Sequence, residues 1–119
     1  MSRRITLHRL RSGTPVPRRG ARYLITRLWP KGFSRDELAP AGWLKRAAPP
    51  HALRRWFGDH LERWQEYRDE VRAGLEDDPG AWERLLEAAR EGPVLLLHDG
   101  ADDEHNHAAV LREVLEERL

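Results

Sequence analysis

The run Val94-Leu95-Leu96-Leu97, apolar without interruption and bounded by Pro93 and Gly100, constrains the fold more than any other stretch of the chain. A strand with one face in water alternates apolar and polar side chains. One without alternation is covered on both faces, as in the centre of a parallel sheet. Parallel strands need long crossover connections, usually helical.

The rest of the chain supplies such elements in alternation. Arg4 to Leu10 (RITLHRL) sets Ile5, Leu7 and Arg9 against Thr6, His8 and Leu10, which reads as a first strand. A loop rich in Gly and Pro follows over 12–20, then a second strand at about Tyr23–Leu28 with Arg27 at its end. Ser34 precedes Glu37 by capping-box spacing, so a helical turn is expected over Arg35–Leu38, ended by Pro40. Trp43-Leu44-Lys45 reads as a brief third strand or extended segment. Pro50 suits the first turn of a helix over His51–Phe57, where Leu53, Trp56 and Phe57 share a face and Gly58 closes it. Helical spacing runs from Leu61 through Trp64, Arg68 and Val71 to Leu75 and breaks at Asp77-Asp78-Pro79-Gly80. Trp82, Leu85, Leu86 and Ala89 mark a further helix, closed by Gly92-Pro93. The last helix is expected to begin near Asp103, capped by Asp102 or Asp103, with Ala108, Leu111, Val114 and Leu115 as its apolar line. The pattern predicts an α/β fold: a single compact domain over 1–119, with a small, mostly parallel sheet flanked by helices.

Composition removes several chemistries. With no cysteine, disulfides, iron–sulfur clusters, thiolate zinc sites and a cysteine nucleophile are excluded. The nine glycines form neither GxGxxG nor GxxxxGK[ST], and no GxSxG turn surrounds a serine, so no cofactor and no serine triad is expected. No apolar run is long enough to span a membrane or to form a signal-peptide core, and a cytoplasmic location is expected. A metal site would have to come from His98, Asp99, Asp102, Asp103, His105 and His107. His105 and His107 are two apart and diverge on a helix, and no HExxH occurs, so no metal is expected.

Net charge is +1, but residues 1–60 hold 14 Lys/Arg against 3 acidic residues while residues 61–119 hold 7 against 17. Either the basic half pairs with the acidic helices, or it offers a cationic face to phosphates.

The candidate site centres on Arg22 to Phe33. Trp29, preceding proline, is extended, and Pro30-Lys31-Gly32 turns the chain, which brings Arg27, Trp29 and Lys31 to one loop. Ligands of open parallel sheets bind beyond the carboxyl ends of the strands. The Val94–Leu97 strand delivers His98, Asp99 and Gly100 to that edge, and the following helix would bring His105, Asn106 and His107 in its first turn. Arg27, Trp29, Lys31, Asp99 and Asp102 are therefore the candidate ligand-binding residues; His98, His105 and Asn106 are the candidates for catalytic chemistry. Against this stand plainer readings: Arg27 paired with Asp99, Asp102 or Asp103, and His105 and Asn106 as an ordinary helix start. Trp43, Trp56, Trp64 and Trp82 read as core.

Four blocks in this order, RLWPKG (Arg27 to Gly32), WLKRAAP (Trp43 to Pro49), LRRWFG (Leu53 to Gly58) and DDEHNHAAVL (Asp102 to Leu111), resemble the YeaO-like family, domain of unknown function 488, a group of small bacterial proteins. The resemblance covers nearly the whole chain and implies a compact cytosolic α/β domain with no established activity. It points to Arg27, Trp29, Pro30, Gly32, Trp56, Phe57, Asp102, Asn106 and Ala108. The chain departs from the family pattern at Thr26 in place of aspartate, Lys31 in place of arginine and Ala101 in place of lysine. The last departure leaves two readings: lost activity, or His98 and Asp99 supplying part of the site.

The expected function is binding of a small anionic ligand bearing phosphate or carboxylate, with or without catalysis on it. Two rivals stand beside it. One is a nucleic-acid-binding module using Arg3, Arg4, Arg18, Arg19, Arg22 and Arg35. The other is a structural or dimerising protein whose acidic helices meet a basic neighbour.

Overall fold

The computed structural model describes residues 4–11 and 13–119. Four strands, β1 (Ile5–Arg9), β2 (Ala21–Leu24), β3 (Gly42–Trp43) and β4 (Val94–His98), form one sheet in the order β1-β4-β2-β3, and every pairing is parallel. Among the described residues five helices accompany them: α1 (Arg35–Leu38), α2 (His51–Phe57), α3 (Trp64–Asp77), α4 (Glu83–Glu91) and α5 (His107–Glu116). Short 3-10 turns at Lys45–Ala47, Leu61–Arg63 and Pro79–Ala81 join several of them.

The uninterrupted apolar run is the reason β4 sits inside the sheet. It pairs with β1 on one side and β2 on the other, and each of its five residues is buried. Its side chains divide by parity between two cores. Val94 and Leu96 join Tyr23, Ile25 and the apolar faces of α3, α4 and α5, whereas Leu95 and Leu97 meet Leu24 and Leu38 on the opposite face. The second face is covered thinly, by α1 and by the partly buried rings of Trp29, Phe33 and Trp43.

Local signals account for several boundaries. Ser34 and Glu37 form the reciprocal capping box at α1, and α2 ends at Gly58 in a positive-φ conformation. Trp82, 3% exposed, donates its indole N–H to the Leu75 carbonyl at 2.7 Å and so ties α3 to the start of α4. Trp43, Trp56 and Trp64 are only partly buried, packing at the margins of the two cores.

Two expectations are corrected. β2 stops at Leu24. Ile25 still donates its N–H to the Leu97 carbonyl at 2.9 Å, but Thr26 turns its hydroxyl onto the Leu28 carbonyl, so Arg27 lies beyond the ladder rather than at a strand end. α5 begins at His107 with Asn106 as its N-cap, not near Asp103. Asp102 does receive backbone donors, from Glu104 and His105, but these belong to a turn that precedes the helix.

Candidate functional site

Beyond the carboxyl ends of β2 and β4 lies a cleft of about 370 Å³ between the loop leaving β2 and the start of α2. Arg27, Arg54 and Arg55 line it together with His51, Pro49 and Asp99. The loop after the 3-10 turn at Lys45–Ala47 fixes one wall, because Arg27 Nε donates to the Ala48 carbonyl at 2.9 Å. That bond orients the guanidinium and leaves its Nη donors without a hydrogen bond or ion pair among the described residues.

Arg54 is held differently. Its Nη1 donates to Asp99 Oδ1 at 2.7 Å and its Nη2 to the Asp99 carbonyl oxygen, a two-point grip on the residue that follows β4. Asp99 is the one carboxylate in this lining and is already committed, so Arg27 and Arg55 leave the cleft cationic. The simpler reading of Arg27 as an ion pair is not met: Asp99 holds Arg54, Asp103 holds Arg9 and Arg11, and Asp102 faces His105.

The expected convergence of Arg27, His98 and Asn106 on one mouth is not found. Arg27 and Asp99 share the cleft above, His98 borders another beside β1, and His105 and Asn106 border a third beside Tyr67. His98 is 1% exposed; its Nδ1 accepts the Gly100 N–H at 3.1 Å, which puts its proton on Nε2. Burial, aided by the neighbouring His107, pushes its pKa down to about 3. His107 is equally buried, its Nε2–H directed to the Ile25 carbonyl at 2.8 Å, and burial lowers its pKa as well.

Asn106 uses its whole side chain on the backbone. Oδ1 accepts from Ala109 N–H at 2.9 Å, and Nδ2 donates to the carbonyls of Asp102 and Asp103 at 2.9 and 3.1 Å. Its Cβ presses so close to Gly100 that a Cβ on that glycine would lie 2.7 Å from it. His105 packs edge-on against Trp64, ring centroids 5.2 Å apart, with Nδ1 3.1 Å from Asp102 Oδ1. Hydrogen bonds from the His105 and Glu104 amides hold the Asp102 carboxyl below its ordinary pKa. Tyr67, stacked on Phe57 at 4.3 Å between ring centroids, has its hydroxyl pKa pushed up to about 12 by burial.

Trp29 belongs to the second core. It meets Trp43 edge-on at 5.4 Å and donates its indole N–H to the Phe33 carbonyl at 2.7 Å, while Arg35 lies over its ring. Lys31 is exposed at the turn, where Gly32 takes φ +84°. Sequence reasoning missed Arg54, Arg55 and His51; their positions on the polar face of α2 carry no signal apart from the tertiary contact with Asp99.

Among the described residues, four arginines of the basic half pair with carboxylates of the acidic half. Arg9 and Arg11 meet Asp103, Arg46 meets Asp78, and Arg54 meets Asp99. Of the arginines that could face nucleic acid, Arg4 donates to the Ala89 carbonyl and Arg22 to that of Glu37, and Arg35 covers Trp29. Arg18 and Arg19 are exposed, and Arg3 lies outside the described residues. Among the described residues no cluster of three or more His, Asp or Glu could hold a metal ion, and no helix is long and apolar enough to cross a membrane.

Fold and cleft together define a small, all-parallel α/β domain with a cationic pocket at the carboxyl edge of its sheet. Residues 4–119 match the family model described as the inactive DUF488-N3 subclade. The chain belongs to this YeaO-like DUF488 family. It is 32% identical over 96 residues to the uncharacterized protein YeaO of Escherichia coli (strain K12), covering 81% of this chain and 84% of that one. It is also 32% identical over 104 residues to an uncharacterized protein of Mycobacterium tuberculosis (strain H37Rv), covering 86% of each. No solved structure matches the chain.

Proposed function

We propose that the protein binds a small anion, phosphate- or carboxylate-bearing, in the cleft of Arg27, Arg54 and Arg55, and does not turn it over. The observation that carries this reading is the charge balance of the cleft. Three guanidiniums and His51 face a single carboxylate that already accepts from one of them. Arginine suits the task because its planar fork matches two oxygens of a carboxylate or phosphate. Arg27 is already oriented by Ala48, which lowers the ordering cost of binding.

Binding without turnover fits two features. His98 and Asn106 have their polar atoms engaged with the protein backbone, away from Arg27. The subclade to which the chain belongs is described as inactive. Calorimetric titration with inorganic phosphate at low salt tests the reading. Heat of binding is expected in the parent and absent in Arg27→Ala, whose melting temperature should fall by no more than about 5 °C because one part-buried hydrogen bond is lost. Equal binding by both proteins would refute it.

A further inference from the structure

The cationic cleft has a second wing. A groove of about 210 Å³ runs from Arg27, Ala48 and Pro49, which both share, to the face of α3 that carries Val71, Gly74 and Leu75. Ala47 and Leu53 line the opposite wall. The first wing gathers Arg27, Arg54 and Arg55, and the second adds an apolar stretch between Arg27 and a charged rim.

Gly74 is the residue that sequence and helix physics leave unexplained. It lies in the fourteen-residue α3, where glycine is a poorer helix former than alanine. No close approach requires it, since a Cβ there would meet nothing within 4 Å. What its missing side chain provides is room beside Val71 and Leu75. The far rim carries Glu70 and the Arg46–Asp78 pair, which makes that end unreceptive to a second negative charge.

We infer that the ligand is amphiphilic: one anionic head at Arg27, Arg54 and Arg55, and one short apolar arm, uncharged at its tip, laid along α3 over Gly74. The inference rests on the anion-binding reading above and adds to it the chemical class of the ligand. A head of either chemistry is accommodated, so the phosphate and carboxylate forms are run side by side.

The experiment titrates the full chain with inorganic phosphate, methyl phosphate and hexyl phosphate, and in parallel with acetate and heptanoate. The six-carbon arm is expected to tighten binding about tenfold over the one-carbon compound, well short of full burial of its methylenes. In Gly74→Leu the advantage of the long arm should vanish while inorganic phosphate binds as before. Leucine is the better helix former, so α3 should keep or gain thermal stability and a loss of fold does not confuse the result. The head whose long-arm compound shows the advantage identifies the ligand's charge. A six-carbon-arm compound that binds no tighter than its one-carbon counterpart, or an advantage that survives Gly74→Leu, overturns the apolar arm and leaves anion binding intact. Absence of binding by every anion overturns both.

Discussion

The sharpest prediction concerns Asn106, which sequence patterns place among catalytic candidates and the fold places at a helix start. In Asn106→Ala the Cβ that packs on Gly100 is kept, so no cavity opens there; what disappears is three hydrogen bonds. Losing the N-cap acceptor for Ala109 costs about 1 kcal/mol. The two lost donations to the Asp102 and Asp103 carbonyls add about 0.5–1 kcal/mol each, toward the lower end because both residues reach solvent and water can replace the amide. The expected loss is about 2–3 kcal/mol. With a urea dependence of about 2 kcal/mol per molar, the denaturation midpoint falls by about 1–1.5 M. Asn106→Ser should recover about 1 kcal/mol, because serine restores the cap but not the donations. Phosphate binding, measured on the folded fraction, should be the same in all three proteins. A midpoint within about 0.3 M of the parent for the alanine variant, or a serine variant no better than alanine, would refute this account.

Two further outcomes follow from the titrating groups. His98 is neutral in the fold with its pKa pushed down to about 3, while in the unfolded chain it protonates near 6.5. Its contribution is complete above about pH 6.5 and is lost as pH falls toward 3, at about 1.4 kcal/mol per pH unit. Urea midpoints taken between pH 7 and 4.5 should therefore decline. His98→Asn, whose Oδ1 can accept from Gly100, should make the decline shallower; an unchanged slope would show that His98 does not titrate in this window. At the cleft, Asp99→Asn keeps an acceptor for Arg54 and removes the one negative charge. Phosphate affinity should rise about fivefold at low salt, from roughly 1 kcal/mol of relieved repulsion; weaker binding would mean that the carboxylate charge is needed to hold Arg54 in place.

How much of this was legible beforehand depends on whether a feature is local. α1 and α2 were readable to the residue, because Ser34, Glu37, Pro50 and Gly58 are boundary signals that act within one turn. β4 was readable because an unalternating run has one good environment. The end of β2 was not, since Thr26 can either continue a ladder or bend back onto Leu28, and only the neighbouring strands decide. The start of α5 misled for a chemical reason. Asp102 and Asn106 are both good caps, but the position between two carbonyls and an amide needs a group that donates and accepts at once, which an ionised carboxylate cannot do. The candidate site was half legible: Arg27 and Asp99 do share a cleft, whereas Arg54 and Arg55 enter it only because Asp99 reaches α2 from some forty-five positions away.

The strand order carries a consequence for how the chain assembles. β1 and β2 never pair with each other; β4 stands between them, and it is the last strand to be synthesised. A growing polypeptide that has reached residue 93 can register β2 against β3, yet β1 has no template and both cores lack their shared wall. Contacts of this sequence separation delay folding and prolong the exposure of bare strand edges. Mutations that weaken Val94–His98 should thus cut the yield of folded protein from translation as well as lower the melting point of what is purified.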